Sequence, residues 1–336
     1  MAKIEIYYLI LGSVGFDLLT GDPEFLIHPV QIIGFYIKKL SDFSVKLSQR
    51  KYFLNIAGLF ITITTIFFSY FIGKFIEINY FQSNSKIFWG VINLLGISSC
   101  IASKNLLSSA KEIAIYYQSH SEIENKKDLL REKVQRLVSR DVSTCSMDTL
   151  LRSTTESLTE NSVDGIFGPL FWIFIGGILI NFSFYLPGPL SLGFAYKASS
   201  TLDSMIGYKH FPLNHLGFFS AKCEDYASYL PARLLLFTLP LIKKNQYSYK
   251  YLIKKAFYEG GKYESPNAGI SQAIFALILN INLGGENKYR NKVIIKPKLN
   301  PQGSNCDVQS IHKICNLILM LKLLWVALFT LIMMII

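Results

Sequence analysis

Three carboxylates at four-residue steps, Glu156, Glu160 and Asp164, stand just ahead of the apolar run Ile166–Ile178. On an α-helix this spacing sets all three on one narrow face, with Arg152 a turn earlier and Asn161 beside the row. Such a row suits magnesium, which binds through one or two carboxylates, water and the phosphates of a substrate. Like charges so spaced cost only roughly a few tenths of a kcal/mol per pair, so a solvated face would also tolerate them. The nearby membrane-like segment, where stray carboxylates are costly, favours function. Further acids, Asp203 and Asp225, and the bases Arg140, Lys197, Lys209 and Arg233 also gather at the ends of apolar segments. Lys and Arg there can hold phosphate oxygens or stabilise charge in phosphoryl or acyl transfer. Interfacial snorkelling is the plainer account of the same cations. Asp17, Asp22 and His28 lie at the mouth of the first apolar segment, where capping and loop solvation compete with a ligand role.

The elements that must position these groups are membrane helices. The chain is 51% hydrophobic and only 17% charged, and several apolar runs approach spanning length. The fold expected is all-α: a polytopic membrane helical bundle with cytoplasmic amphipathic helices and re-entrant segments. It forms one integral membrane domain over 1–336, with a charged cytoplasmic helical segment at about 104–165. The net charge of +11 concentrates between the apolar runs, at 38–51, 104–152, 243–262 and 286–313. The positive-inside rule puts those loops in the cytoplasm, in a cell-membrane protein with several spans. The clean spans are Phe53 to Gly73 and Ile87 to Ala102, with a last one from Asn316 to Ile336 that holds a single lysine, Lys322. Between 152 and 243 the apolar runs 166–186 and 230–242 must both cross or both turn back. Re-entrant insertion is the expectation, since irregular backbone at depth is allowed where protein buries it.

The charge does not indicate nucleic acid, because no recognisable module accompanies it. Cys100, Cys145, Cys223, Cys306 and Cys315 have neither zinc nor disulfide spacing and read as reduced packing thiols. No Walker loop, nucleophile elbow or dinucleotide fingerprint is present, and the pairs Gly176-Gly177, Gly260-Gly261 and Gly284-Gly285 are weak signals. On these grounds alone, chemistry at the membrane surface is favoured over transport, because charges lie at segment ends and no matched repeats are visible.

Nine short motifs sharpen this reading. They are Gly21-Asp22-Pro23, His28-Pro29-Val30, Arg140-Asp141-Val142, Glu156-Ser-Leu-Thr-Glu160-Asn161, Pro169-Leu-Phe-Trp172, Tyr196-Lys197, Thr201-Leu-Asp203-Ser-Met-Ile-Gly207-Tyr-Lys209, Pro231-Ala-Arg233 and Ser265-Pro266-Asn267-Ala-Gly269. In this order, over roughly residues 10 to 290, the chain resembles the adenosylcobinamide-phosphate synthase family of cobalamin biosynthesis. The resemblance implies an ATP-dependent ligase that joins a propionate carboxylate of adenosylcobyric acid to aminopropanol or its phosphate as an amide. It implies ATP and Mg2+ as cofactors, the lipid bilayer as surroundings and other corrinoid-pathway enzymes as further partners. Carried onto this chain, it implies catalytic roles for Glu156, Glu160, Asn161, Asp203 and Arg233, with Glu156, Glu160 and Asp164 near the metal. Substrate contacts fall to Arg140, Lys197, Thr201, Lys209, Asp225, Asn267, Asp22 and His28. The chain departs from the family pattern with Thr159 for Ala, Ser200 for Asn, Glu224 for Asp and Ser228 for Asn. A corrinoid-binding transporter subunit and a non-catalytic membrane scaffold are the competing readings.

Overall fold

A computed structural model describes residues 2–21, 28–120, 124–289 and 292–336. The helices are α1 (Ala2–Leu19), α2 (Pro29–Leu47), α3 (Lys51–Gln82), α4 (Lys86–Cys100), α5 (Ser103–His120), α6 (Glu124–Leu137) and α7 (Met147–Ser162). After a π-helical turn, Val163–Phe167, come α8 (Gly168–Leu179), α9 (Pro189–Ile206), α10 (Leu213–Leu216), α11 (Phe218–Ile242), α12 (Tyr249–Gly260), α13 (Pro266–Leu279) and α14 (Val308–Ile335). The architecture is all-α, as expected. Its exception among the described residues is an antiparallel hairpin, β1 (Leu283–Tyr289) and β2 (Lys292–Leu299), where a basic loop was expected. The β-branched run Val293-Ile294-Ile295 supplies the strand preference.

Among the described residues, four helical stretches are long and apolar enough to cross a membrane: Lys51–Gln82, Lys86–Gln118, Met147–Leu179 and Val308–Ile335. Three of them lengthen the expected spans. Met147–Leu179 takes the apolar run after Asp164 and the carboxylate row into one helical stretch. The run 230–242 is the end of the 25-residue α11, with Pro231 and Pro240 inside the helix. The expected basic loop at 38–51 is mostly α2.

The chain divides into two compact units, each built from separated stretches. The first comprises Met1–Lys104, Asp164–Tyr229 and Val326–Ile336. Within it α3 packs along α9 and α10 where glycines admit backbone: a Cβ on Gly58 would lie 1.8 Å from the Leu216 carbonyl oxygen, and one on Gly73 2.7 Å from the Ser191 Cα. Near the end of α3, Glu77 is buried and fixes the start of α9. Its Oε1 accepts from the backbone N–H groups of Leu190 (2.7 Å) and Ser191 (3.0 Å), and its Oε2 from the Ser191 hydroxyl (3.0 Å). Lys74, 3.7 Å from Glu77, donates to the carbonyls of Phe184 and Leu186. This ion pair ties down the loop leading into α9, the helix that carries Tyr196, Lys197, Thr201 and Asp203.

The second unit comprises Asn105–Val163 and Leu230–Trp325. Of the amphipathic face expected from spacing, Leu129, Leu130, Val134, Leu137 and Val138, the residues Leu130, Val134 and Val138 pack on Ile113, Val142, Cys145 and Leu150, Leu137 lies partly buried against them, and Leu129 is exposed. Ser146 caps α7 by accepting from the Thr149 N–H, and Pro266 occupies the first turn of α13. That helix ends at Asn280 in the left-handed region, φ 54°. Lys322 is 1% exposed within α14.

Candidate active site

In the second unit, α7 and the hairpin build a charged core. Arg140, in the loop after α6, and Glu156 on α7 are both buried, with Nη1 2.6 Å from Oε2. Arg140 Nη1 also donates to Asn287 Oδ1 at 2.5 Å on β1. The other Glu156 oxygen accepts from the Gly284 N–H at 2.8 Å and lies 3.7 Å from Arg152 Nε. Arg152 in turn donates to the carbonyls of Gly284 (2.6 Å) and Glu286.

The Gly284-Gly285 pair explains why those backbone groups are presented. Both residues have positive φ, 84° and 90°, and the strand register shifts between Leu283 and Gly285. A Cβ on Gly284 would lie 2.2 Å from the Pro297 carbonyl oxygen. A weak sequence signal is thus a bulge that aims an N–H at Glu156 and carbonyls at Arg152.

Glu160, one turn further along α7, behaves differently. It is half-buried; one oxygen accepts from Gln272 Nε2 of α13 at 2.9 Å, while the residue lines a polar cavity of about 190 Å³. Arg140, Ser157, Asn161 and Lys296 share that lining, and Asn161 donates to the Ser157 hydroxyl at 3.1 Å. Glu160, Asn161 and Arg140 are therefore brought together at one cavity, and Lys296 joins them. Arg233 and Asn267 pair with each other, Nη1 donating to Oδ1, and Asn267 stands in the first turn of α13.

The metal expectation changes. Both Glu156 oxygens face arginine or backbone N–H, so Glu156 balances charge rather than standing open to a cation. Among the described residues, no group of three or more His, Cys, Asp or Glu side chains is placed to share a metal. Of the two carboxylates of the row in this unit, Glu160 is the one that keeps an oxygen not taken up by arginine or backbone N–H and lines a polar cavity.

Tyr263 was not foreseen. It is 8% exposed, its hydroxyl lacks a hydrogen-bond partner among the described residues, and its ring lies beneath Lys296 Nζ, 5.6 Å from the centroid. Burial pushes this hydroxyl well above the ordinary tyrosine value of 10.0; Glu156 and Glu160 push the same way, against Arg140 and Arg152. A tyrosine held protonated in the fold stabilises it below pH 10, and that share is lost as the unfolded chain ionises above it. Thermal unfolding followed from pH 8 to 11 should show a steeper alkaline loss for the natural protein than for Tyr263→Phe. Parallel curves would contradict the burial.

The remaining expected residues belong to the first unit. Asp164 lies in the π-helical turn, beyond the α-helical row that ends at Ser162, and such turns are frequent at functional sites. The Tyr196 hydroxyl is buried without a hydrogen-bond partner among the described residues. It packs so closely on Gly168 that a Cβ there would meet it at 2.1 Å, and the Asp164 and Glu224 carboxylates act on it electrostatically. Thr201 is buried and donates to the Lys197 carbonyl at 2.7 Å, one turn back on α9. Asp203 and Asp225 are half-buried, whereas Lys209 is exposed. His28 caps α2, its Nδ1 accepting from the Val30 N–H at 3.2 Å. Asp17 is likewise structural, accepting from the Ser103 N–H at 3.0 Å. Asp22 falls outside the described residues.

Gly207 keeps room for Asp203, since a Cβ there would lie 2.0 Å from Asp203 Oδ1. Gly207→Ala should destabilise the protein by about 1–3 kcal/mol, the scale of overpacking. Adding Asp203→Ala should recover the part due to the carboxylate, while the Asp203 carbonyl oxygen, 2.6 Å from that Cβ, keeps the rest; no recovery in thermal unfolding would assign the whole loss to the backbone contact.

Comparison with known proteins places these geometries in a lineage. Residues 10–318 match the family model described as CobD/Cbib protein. The chain belongs to the CobD/Cbib family. It is 36% identical to Cobalamin biosynthesis protein CobD of Synechocystis sp. over 290 residues, covering 86% of this chain and 80% of that one. The protein of the same name from Leptospira interrogans is 32% identical over 316 residues, 93% of each chain. That from Clostridium perfringens is 30% identical over 332 residues, covering 96% and 95%. No solved structure matches. Within the CobD/Cbib match lie both the Arg140–Glu156 core and the Glu160 cavity.

Proposed function

We propose that this chain is the amide-forming ligase of cobalamin biosynthesis, joining a propionate carboxylate of adenosylcobyric acid to aminopropanol or its phosphate at the expense of ATP. The observation that carries this reading is the small polar cavity where Glu160 and Asn161 face Arg140 and Lys296. It joins an acid, an amide and two cations in the order of motifs that the family membership supports.

In the reaction proposed, the γ-phosphoryl group of ATP moves to a propionate oxygen, releasing ADP. The amine nitrogen then forms a bond to the carbonyl carbon as the carbon–oxygen bond to phosphate breaks, and phosphate leaves with the electron pair. Glu160 takes the proton that the amine must lose. Arg140 and Lys296 face the anionic oxygens and stabilise charge at the carbonyl. Asn161, held by Ser157, orients the amine. Magnesium, held by Glu160 with water and phosphate oxygens, would supply charge neutralisation on the phosphates. Arg233 and Asn267 are proposed substrate contacts in the second unit; for Lys197, Thr201, Asp203, Lys209, Asp225 and His28 a substrate role rests on the family resemblance alone. The basic segments support the reading that the active site of this cell-membrane protein opens to the cytoplasm.

Sealed vesicles separate this reading from a corrinoid transporter. Purified protein reconstituted in them should consume amine and ATP with corrinoid present on one side only. Corrinoid crossing the bilayer with no amine consumed would favour transport.

A further inference from the structure

We infer that the start of α7 forms a second, anion-binding site in the second unit, distinct from the Glu160 cavity and built to hold a phosphate group. A cavity of about 280 Å³ opens there, lined by Arg140, Thr144, Ser146, Thr149, Arg152 and Asn287. Every one of these side chains can donate a hydrogen bond. Ser146 caps the 16-residue α7 and takes the Thr149 N–H, while the N–H groups of Met147 and Asp148 have no acceptor within the helix. The positive end of the helix dipole therefore meets two guanidinium groups and three hydroxyls, the combination that attracts phosphate.

Asn287 is the independent sign of a ligand. It is 2% exposed, and its Oδ1 receives Arg140 at 2.5 Å and Arg152 at 3.5 Å. That fixes the amide orientation and leaves Nδ2 as a buried donor with no partner among the described residues. Buried polar groups are rarely left so, and a missing acceptor is the direct explanation. Two arginines against the one buried carboxylate of Glu156 leave the wall cationic. The Glu286 carboxylate also belongs to the lining, but it is exposed to solvent, where its repulsion is screened.

The choice of phosphate over another oxyanion rests on the ligase reading, which brings phosphate both on ATP and on a phosphorylated amine. The site itself rests on its donors. Asn287→Asp is the discriminating substitution. It keeps the oxygen that the arginines grip and replaces the free donor by a second oxygen that repels an anion.

Calorimetry on the purified full chain in detergent would titrate ATP, inorganic phosphate and phosphoethanolamine separately, without the corrinoid. The natural protein should bind at least one of them. Asn287→Asp should weaken that binding by about tenfold or more, the scale of a charged hydrogen bond lost, with the unfolding midpoint unchanged or raised. Thr144→Val, on the exposed rim, should weaken it to a smaller degree. A response to ATP alone would place the phosphate on the nucleotide, and a response to the smaller probes alone would place it on the amine partner; either supports the site. No binding of any probe, or equal affinity in Asn287→Asp, would overturn it. Because this reads affinity without turnover, it can fail while ligation stands, or hold while ligation fails.

Discussion

Arg140→Met should destabilise the protein by about 3–5 kcal/mol, because it leaves Glu156 charged and buried without its closest partner. The Glu156 side chain is 0% exposed and the Arg140 side chain 5%, so water cannot take over the lost contact. Arg152, at 3.7 Å and turned toward backbone carbonyls, offsets only part of it. Asn287 would lose its shortest donor at the same time. Adding Glu156→Gln should restore much of the stability, since an amide can still accept from Gly284 and no longer needs a counter-charge. Unfolding in detergent, followed by circular dichroism, would measure both variants. A single variant that unfolds with the natural protein would contradict the buried pair, and a double variant no better than the single would assign the loss to packing.

Glu160→Gln should leave the fold intact and lower turnover by roughly 10²–10⁴-fold, the contribution of a positioned general base. Glutamine keeps the shape and can still accept from Gln272, so the anchor to α13 survives. What it loses is the capacity to take a proton from the amine or to hold a cation in the polar cavity. The contrast with Glu156 is the informative part: neighbouring carboxylates on one helix should give a stability defect at 156 and a turnover defect at 160. Turnover within twofold of the natural enzyme would reduce Glu160 to a partner for Gln272.

The all-α architecture and the apolar spans were legible because they depend on composition and on repeats within one element. Spacing alone declares the amphipathic face of Leu130, Val134 and Val138, although Leu129, which shares the pattern, is exposed. Spacing also brought Glu156, Glu160 and Asn161 forward, but it could not separate their environments. The charge partners of Glu156 are Arg140 and Arg152, but the groups that hold this cluster in place, the Gly284 N–H on Glu156 and the Asn287 amide oxygen on Arg140, come from the distant hairpin. Nor could spacing show Tyr263, Gln272 or Lys296 as neighbours of the row, for each is unremarkable in its own segment. The hairpin was hidden by its lysines, which read as a loop although Val293-Ile294-Ile295 favours a strand. The π-helical turn at Val163–Phe167 has no pattern that α-helical periodicity detects. The two units carry no linker in sequence because each is assembled from separated stretches and the changes fall within or beside helices.

The most direct test of the ligase assignment is product formation by the purified protein. Supplied in detergent with adenosylcobyric acid, ATP, magnesium and a panel of amino alcohols and their phosphates, it should yield a corrinoid heavier by one amide-linked arm. Mass spectrometry would read that product, and coupled nucleotide analysis should find ADP formed in step with it. The same panel ranks aminopropanol against its phosphate. Folded protein that gives no amide product with any member of the panel would contradict the assignment.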